Sequence, residues 1–140
     1  MENHNSAYSQ YGLSFMPVLI NRVQDGTAGA QAIGWFLNGA WADLEQEQET
    51  EELCRARVNS RTPTRRELLQ VARYFDYGRR THKALRLALK AMEKYLAAQD
   101  ETLLEQALLQ YETGERYRRS RLYIRMSLQP IVCERISRAS

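Results

Sequence analysis

The chain has 140 residues, 44% of them hydrophobic and 26% charged, and a formal net charge of +3. That length supports one domain with its own hydrophobic core, and only seven glycines and three prolines punctuate it, which argues against a turn-rich β architecture and for helices. Two distant cysteines, Cys54 and Cys133, form neither a disulfide framework nor a zinc-ligand pattern and fit a reducing, cytoplasmic setting.

The net charge conceals a division. Through Cys54 a single basic residue, Arg22, stands against eight acidic ones, whereas the rest of the chain holds nineteen basic and nine acidic residues. Seventeen of the twenty cations are arginine, whose planar fork grips carboxylates and phosphates as lysine does not. A chain polarised in this way either pairs its halves internally or presents two surfaces of opposite sign.

Residues 1–12 are polar, lack the basic start of a secretory signal and read as a flexible tail, with residues 13–140 as a single helical domain. The apolar run from Leu13 to Ile20 is short and contains Pro17. No stretch reaches the roughly 20 apolar residues of a bilayer span. After Gly26 and Thr27 a helix is expected over about residues 28–58, with Ile33, Phe36, Leu37, Ala40, Trp41 and Leu44 on one face. Gly29, Gly34 and Gly39 each cost that helix about 1 kcal/mol relative to alanine, so it depends on tertiary contacts and admits a close neighbour. Asp43 to Glu52 forms an acidic, solvated continuation.

The next helix starts either with Thr62 as cap and Pro63 at its first position, or with Thr64 and Glu67 as a capping box. Leu68, Val71, Phe75, Gly78, His82, Leu85, Leu89, Met92 and Leu96 then alternate steps of three and four, predicting a seam to about residue 98. Tyr74, Ala88 and Tyr95 widen it, and Arg66, Arg73, Arg80, Lys83, Lys90 and Lys94 occupy the opposite side. Gly78 and His82 predict a kink, a close crossing or a polar register point within the seam. Asp100 can cap a further helix that buries Leu104, Ala107, Leu108 and Tyr111, with Thr113-Gly114 bending or ending it. A basic segment over about residues 115–136 follows, which Pro130 should kink or stop.

None of the nucleotide-binding or metalloprotease signatures occurs, and the two histidines, His4 and His82, belong to no recognisable catalytic arrangement. His82 reads first as a packed histidine and second as a pH-sensitive group. The segment from Arg116 to Arg125 holds five arginines interleaved with Tyr117 and Tyr123. On a helix they would occupy most of the circumference, so some are expected to fold back on the acidic residues 43–52. Trp35, Phe36 and Trp41 read as core positions, or else as inserts into a partner's groove or a membrane surface, the last disfavoured because the acidic residues that follow would be repelled by anionic lipid.

These features predict an all-α, single-domain bundle of four or five helices preceded by a flexible tail. The function expected is a non-enzymatic protein–protein interaction module, an adaptor, assembly factor, chaperone-like subunit or regulator, without cofactor or metal. Trp35, Trp41, Arg116, Tyr117, Arg118 and Arg119 would contact the partner, and the long seam would suit a homodimer. The alternative is a nucleic-acid-binding subunit that grips the phosphate backbone with Arg66, Arg73, Arg80, Arg121 and Arg125.

Overall fold

The computed structural model describes residues 12–58 and 64–127, with side chains through residue 48 in the first stretch and residue 125 in the second. A 3₁₀ turn (Leu13–Phe15) leads into four α-helices: α1 (Met16–Gln24), α2 (Ala30–Val58), α3 (Arg65–Ala98) and α4 (Glu101–Ser127). No strand occurs among the described residues. The expected all-α bundle is present, with its helices divided differently from the sequence reading. The expectations placed on residues 1–11, on a Thr62–Pro63 cap, on Cys133 and on Pro130 lie outside the described residues.

The run containing Pro17 is a helix that the sequence reading missed. Pro17 sits in the first turn of α1, where its fixed φ suits helix entry and its missing N–H costs nothing. Leu13, Met16, Leu19 and Ile20 are all buried, which anchors this short helix through its apolar face. Gly26, with φ of +85°, closes the turn after it. There Asp25 accepts from the backbone N–H and the hydroxyl of Thr27, and those bonds hold its carboxyl below the usual range.

The α2 face expected from spacing is the face that packs: Ile33, Phe36, Leu37, Ala40 and Leu44 are buried. Gly29, just before α2, and Gly34 within it do not serve close approach, because a Cβ at either would meet nothing within 4 Å. Thr64, not Thr62, caps α3. Its hydroxyl accepts from the Glu67 N–H at 3.1 Å, and the Glu67 carboxylate accepts from the Thr64 N–H at 2.8 Å.

Helix α3 is the spine, and Phe75, Gly78, Leu85, Leu89 and Met92 of the expected seam are buried, as are Tyr74, Ala88 and Tyr95, which were expected to widen it. Thr81 is buried as well, and Tyr74, Gly78, Thr81, Leu85, Ala88, Met92 and Tyr95 follow alternating steps of four and three. Leu68 is 53% exposed, and His82 is only half-buried. Helix α3 serves two neighbours at once, α4 along most of its length and α2 on another side. Its buried arc is therefore broader than a two-stranded seam. Burial of Leu85, Leu89, Met92 and Leu104 is complete, and each such side chain stabilises the fold by about 1.5–3 kcal/mol.

The break expected at Thr113-Gly114 is absent. Helix α4 runs through it without interruption from Glu101 to Ser127, after Asp100 accepts from the N–H and hydroxyl of Thr102. Gly114 is instead a point of close approach between α3 and α4: a Cβ there would lie 3.1 Å from a Leu85 methyl and 3.5 Å from the Ala84 Cβ.

Candidate functional site

On α4 the positions facing α3 follow one register: Leu104, Ala107, Tyr111, Gly114, then Arg118, Arg121 and Arg125. The first four are buried and close the helix pair tightly. The last three carry the same three-and-four spacing into a region where the seam residue is arginine. An apolar seam thus turns cationic halfway along the molecule.

Arg121 shows how α3 accommodates this. Its Nε donates to the Tyr74 carbonyl at 3.0 Å, and its guanidinium carbon lies 3.8 Å from the centroid of the Tyr74 ring. Gly78 makes the space: a Cβ there would come within 2.8 Å of the Arg121 Cζ. Arg118 reaches the other way, with Nη2 at 3.1 Å from Glu47 of α2 and Nη1 at 3.2 Å from Glu115 of its own helix. The fold-back onto the acidic stretch thus exists for this arginine. Both partners of the Arg118–Glu47 pair keep substantial solvent contact, so its stabilisation is about 0–1 kcal/mol.

Between these long side chains α2, α3 and α4 enclose an open groove of about 880 Å³. The α2 wall runs from Asp43 to Gln48. Along α3 the cations Arg79, Lys83, Arg86 and Lys90 form one stripe, and Arg118, Arg121 and Arg125 form another along α4. These seven cations stand against two carboxylates, Asp43 and Glu47. The lining also holds apolar groups, buried Leu44 and Leu85 and the more open Leu87 and Leu122, which are 43% and 49% exposed. Among the described residues Lys83, Arg86 and Lys90 have no carboxylate within ion-pair distance. His82 also lines the groove. Burial, and secondarily the charge of Arg86, hold its imidazole below the ordinary value of 6.5.

No family model matches the chain, and no curated protein or solved structure is detectably similar to it.

The residues singled out from sequence do not form one site. Arg118, Arg121 and Arg125 line the groove. Trp41 packs against the core and donates from Nε1 to Glu93 of α3 at 2.8 Å, and Trp35 is half-buried. Tyr117 lies outside the groove lining. Its ring packs on Tyr77 at 5.9 Å, and the Arg80 guanidinium lies 5.7 Å from its centroid. Arg80 also bonds the Tyr117 hydroxyl and the Asp76 carboxylate, contacts that raise its basicity further, while Arg79 and Arg80 together hold the Asp76 carboxyl below its usual range. Arg116 reaches Thr113. Arg119, Arg66 and Arg73 are exposed and line no part of the groove.

The residues missed included Arg79, Arg86, Leu87 and Leu122, together with the alignment of Lys83 and Lys90 beside them. The signal was present, since Arg79, Lys83, Arg86 and Lys90 repeat at four, three and four residues. Among the described residues no group of three histidine, cysteine, aspartate or glutamate side chains is placed to hold a metal ion. No described helix is long and apolar enough to cross a membrane.

Proposed function

We propose that the chain is a non-enzymatic interaction module that engages a protein partner through the groove between α2, α3 and α4. The observation that carries this is the combination, in one groove lining, of two cationic stripes with the exposed leucines Leu87 and Leu122. A helix surface that only needs solvation carries mixed charge and few large apolar groups; apolar anchors inside a charged rim are the anatomy of a protein interface.

The test compares three immobilised full-length chains as bait for an extract of the source cells. One is unaltered, one carries Lys83→Glu with Lys90→Glu, and one carries Arg66→Glu with Arg73→Glu. The two substituted chains undergo the same charge change on different faces. Proteins retained by the unaltered and Arg66/Arg73 baits but lost from the Lys83/Lys90 bait are the expected result. Equal losses from both, or no loss from either, reject the groove as the binding surface.

The excess of cations also favours a second function, contact with a nucleic-acid backbone through Arg121 and Arg125 with the α3 stripe. Backbone binding of about six phosphates would weaken by about 10³-fold between roughly 50 and 200 mM salt. The acidic α2 wall opposes it, and apolar anchors do not serve phosphates. Absence of DNA or RNA binding at low salt eliminates this function.

A further inference from the structure

We infer that the groove receives an acidic amphipathic helix of a partner protein, seated with its apolar face on the groove's leucines and its carboxylates against Lys83, Arg86 and Lys90. The inference rests on the function proposed above and identifies the partner's chemistry.

Three observations specify the occupant. The first is shape. The 3₁₀ turn and α1 touch α2, and α1 also touches α4, so a helix already fills the neighbouring part of the space between those two elements. The groove begins where that filling ends: Asp43, at the start of its α2 wall, lies so close to Gly12 that a Cβ there would come within 2.9 Å of the Asp43 carboxylate. The stripe from Arg79 to Lys90 covers about 16 Å of helix axis, which corresponds to about three turns of an occupant lying alongside.

The second observation is charge. Glu47 is engaged by Arg118, whereas among the described residues Lys83, Arg86 and Lys90 have no carboxylate within ion-pair distance. Positive potential concentrated in a concave surface selects a negative partner and speeds its arrival. The chain's own residues 1–11 include one carboxylate side chain, Glu2, too few to answer that stripe. The third is the apolar component. Leu87 and Leu122 offer side-chain surface to an occupant's leucines, in the groove-binding manner of amphipathic helices. A phosphate backbone would leave that surface unused.

The experiment titrates the full chain against short fluorescent peptides, each about three helical turns long. They share a leucine face and differ in flanks of glutamate, glutamine or lysine. A polythymidine oligonucleotide and a peptide of residues 1–11 are added as further ligands. The glutamate peptide should bind about tenfold tighter than the glutamine peptide, the sum of three partly solvated ion pairs, and the lysine peptide should not bind. A Lys83→Gln, Arg86→Gln, Lys90→Gln chain, altered only at exposed positions, should bind the glutamate and glutamine peptides equally.

Equal affinity of the unaltered chain for the glutamate and lysine peptides overturns the inference. So does tighter binding of the oligonucleotide or of the 1–11 peptide when that binding is lost in the triple variant. Concentration-dependent self-association abolished by the same substitutions would assign the groove to a second copy of the chain and likewise overturn it. If no peptide binds while Lys83→Glu with Lys90→Glu still removes captured proteins from an extract, the partner class is wrong and the interaction module stands. If capture is also unaffected, both fail.

Discussion

Replacing Gly78 with alanine should destabilise the protein, although the same change in the interior of an ordinary helix stabilises it. Alanine gains about 1 kcal/mol of helix propensity over glycine. Against that, the new methyl would lie within 2.8 Å of the Arg121 guanidinium, so the side chain must leave. Its departure forfeits the 3.0 Å bond to the Tyr74 carbonyl, about 1.5–3 kcal/mol for a charged donor, and the stacking on Tyr74, about 0.5–2 kcal/mol. Arginine is flexible and regains water when displaced, which puts the realistic cost near the lower ends of those ranges. A net loss of about 1 kcal/mol is expected for Gly78→Ala.

The decisive comparison is Gly78→Ala in an Arg121→Ala background. With no guanidinium to expel, the same substitution should stabilise by about 1 kcal/mol, giving a coupling of about 2 kcal/mol between the two sites. Urea denaturation followed by far-ultraviolet circular dichroism measures all four proteins. Effects that add within about 0.5 kcal/mol, with Gly78→Ala stabilising in both backgrounds, would show that Arg121 does not occupy the space above Gly78 and that the cationic half of the seam is built in some other way.

Other positions yield simpler expectations. Gly34→Ala, where a Cβ meets nothing within 4 Å, should stabilise by about 0.5–1 kcal/mol in the same assay; a loss would mean that a neighbour approaches α2 there. Thr64→Ala removes the capping box of α3 and should cost about 1 kcal/mol, with no loss if the helix starts elsewhere. The His82 imidazole should titrate below 6.5 by NMR, and Arg86→Gln should raise its pKa only part of the way, because burial outweighs Arg86 as the cause. Since the folded state disfavours the protonated ring, the stability tied to His82 is complete above about pH 6.5 and falls as pH drops from there through the folded-state value. A His82→Gln chain should lose that dependence, and an unchanged pH profile would place the effect on another group.

The helical class and the long spine were legible because apolar periodicity over many turns is a strong signal, and α2 and α3 have it. The Thr64–Glu67 box of α3, one of the two starts the sequence offered, was legible for the same local reason that forms it. What escaped the sequence shares one cause: residues whose type and role diverge. Pro17 reads as an interruption and works as a helix opener. Gly114 reads as a helix end and is a contact point, where a Cβ would crowd the Leu85 side chain at 3.1 Å. Most consequential is the seam of α4, where Arg118, Arg121 and Arg125 take positions that a hydrophobic pattern assigns to leucine. A search for apolar spacing stops at Gly114 and divides one helix into two. The cationic groove follows from that substitution of charge for grease, and so it was hidden along with it. The arginine burst was visible in composition, but its division was not: Arg116 and Arg119 lie outside the groove, and Arg118 and Arg121 are tied to Glu47 and Tyr74.

Whether the groove is where a partner engages can be read residue by residue. An isotope-labelled full-length chain would be titrated with the glutamate-flanked peptide while its backbone amide shifts are followed. The changes should gather in residues 43–48, 79–90 and 118–125, the three walls of the groove. Changes centred instead on Arg66 and Arg73, or on the Arg80–Tyr117 cluster, would contradict the assignment and move the binding surface to another face of the bundle.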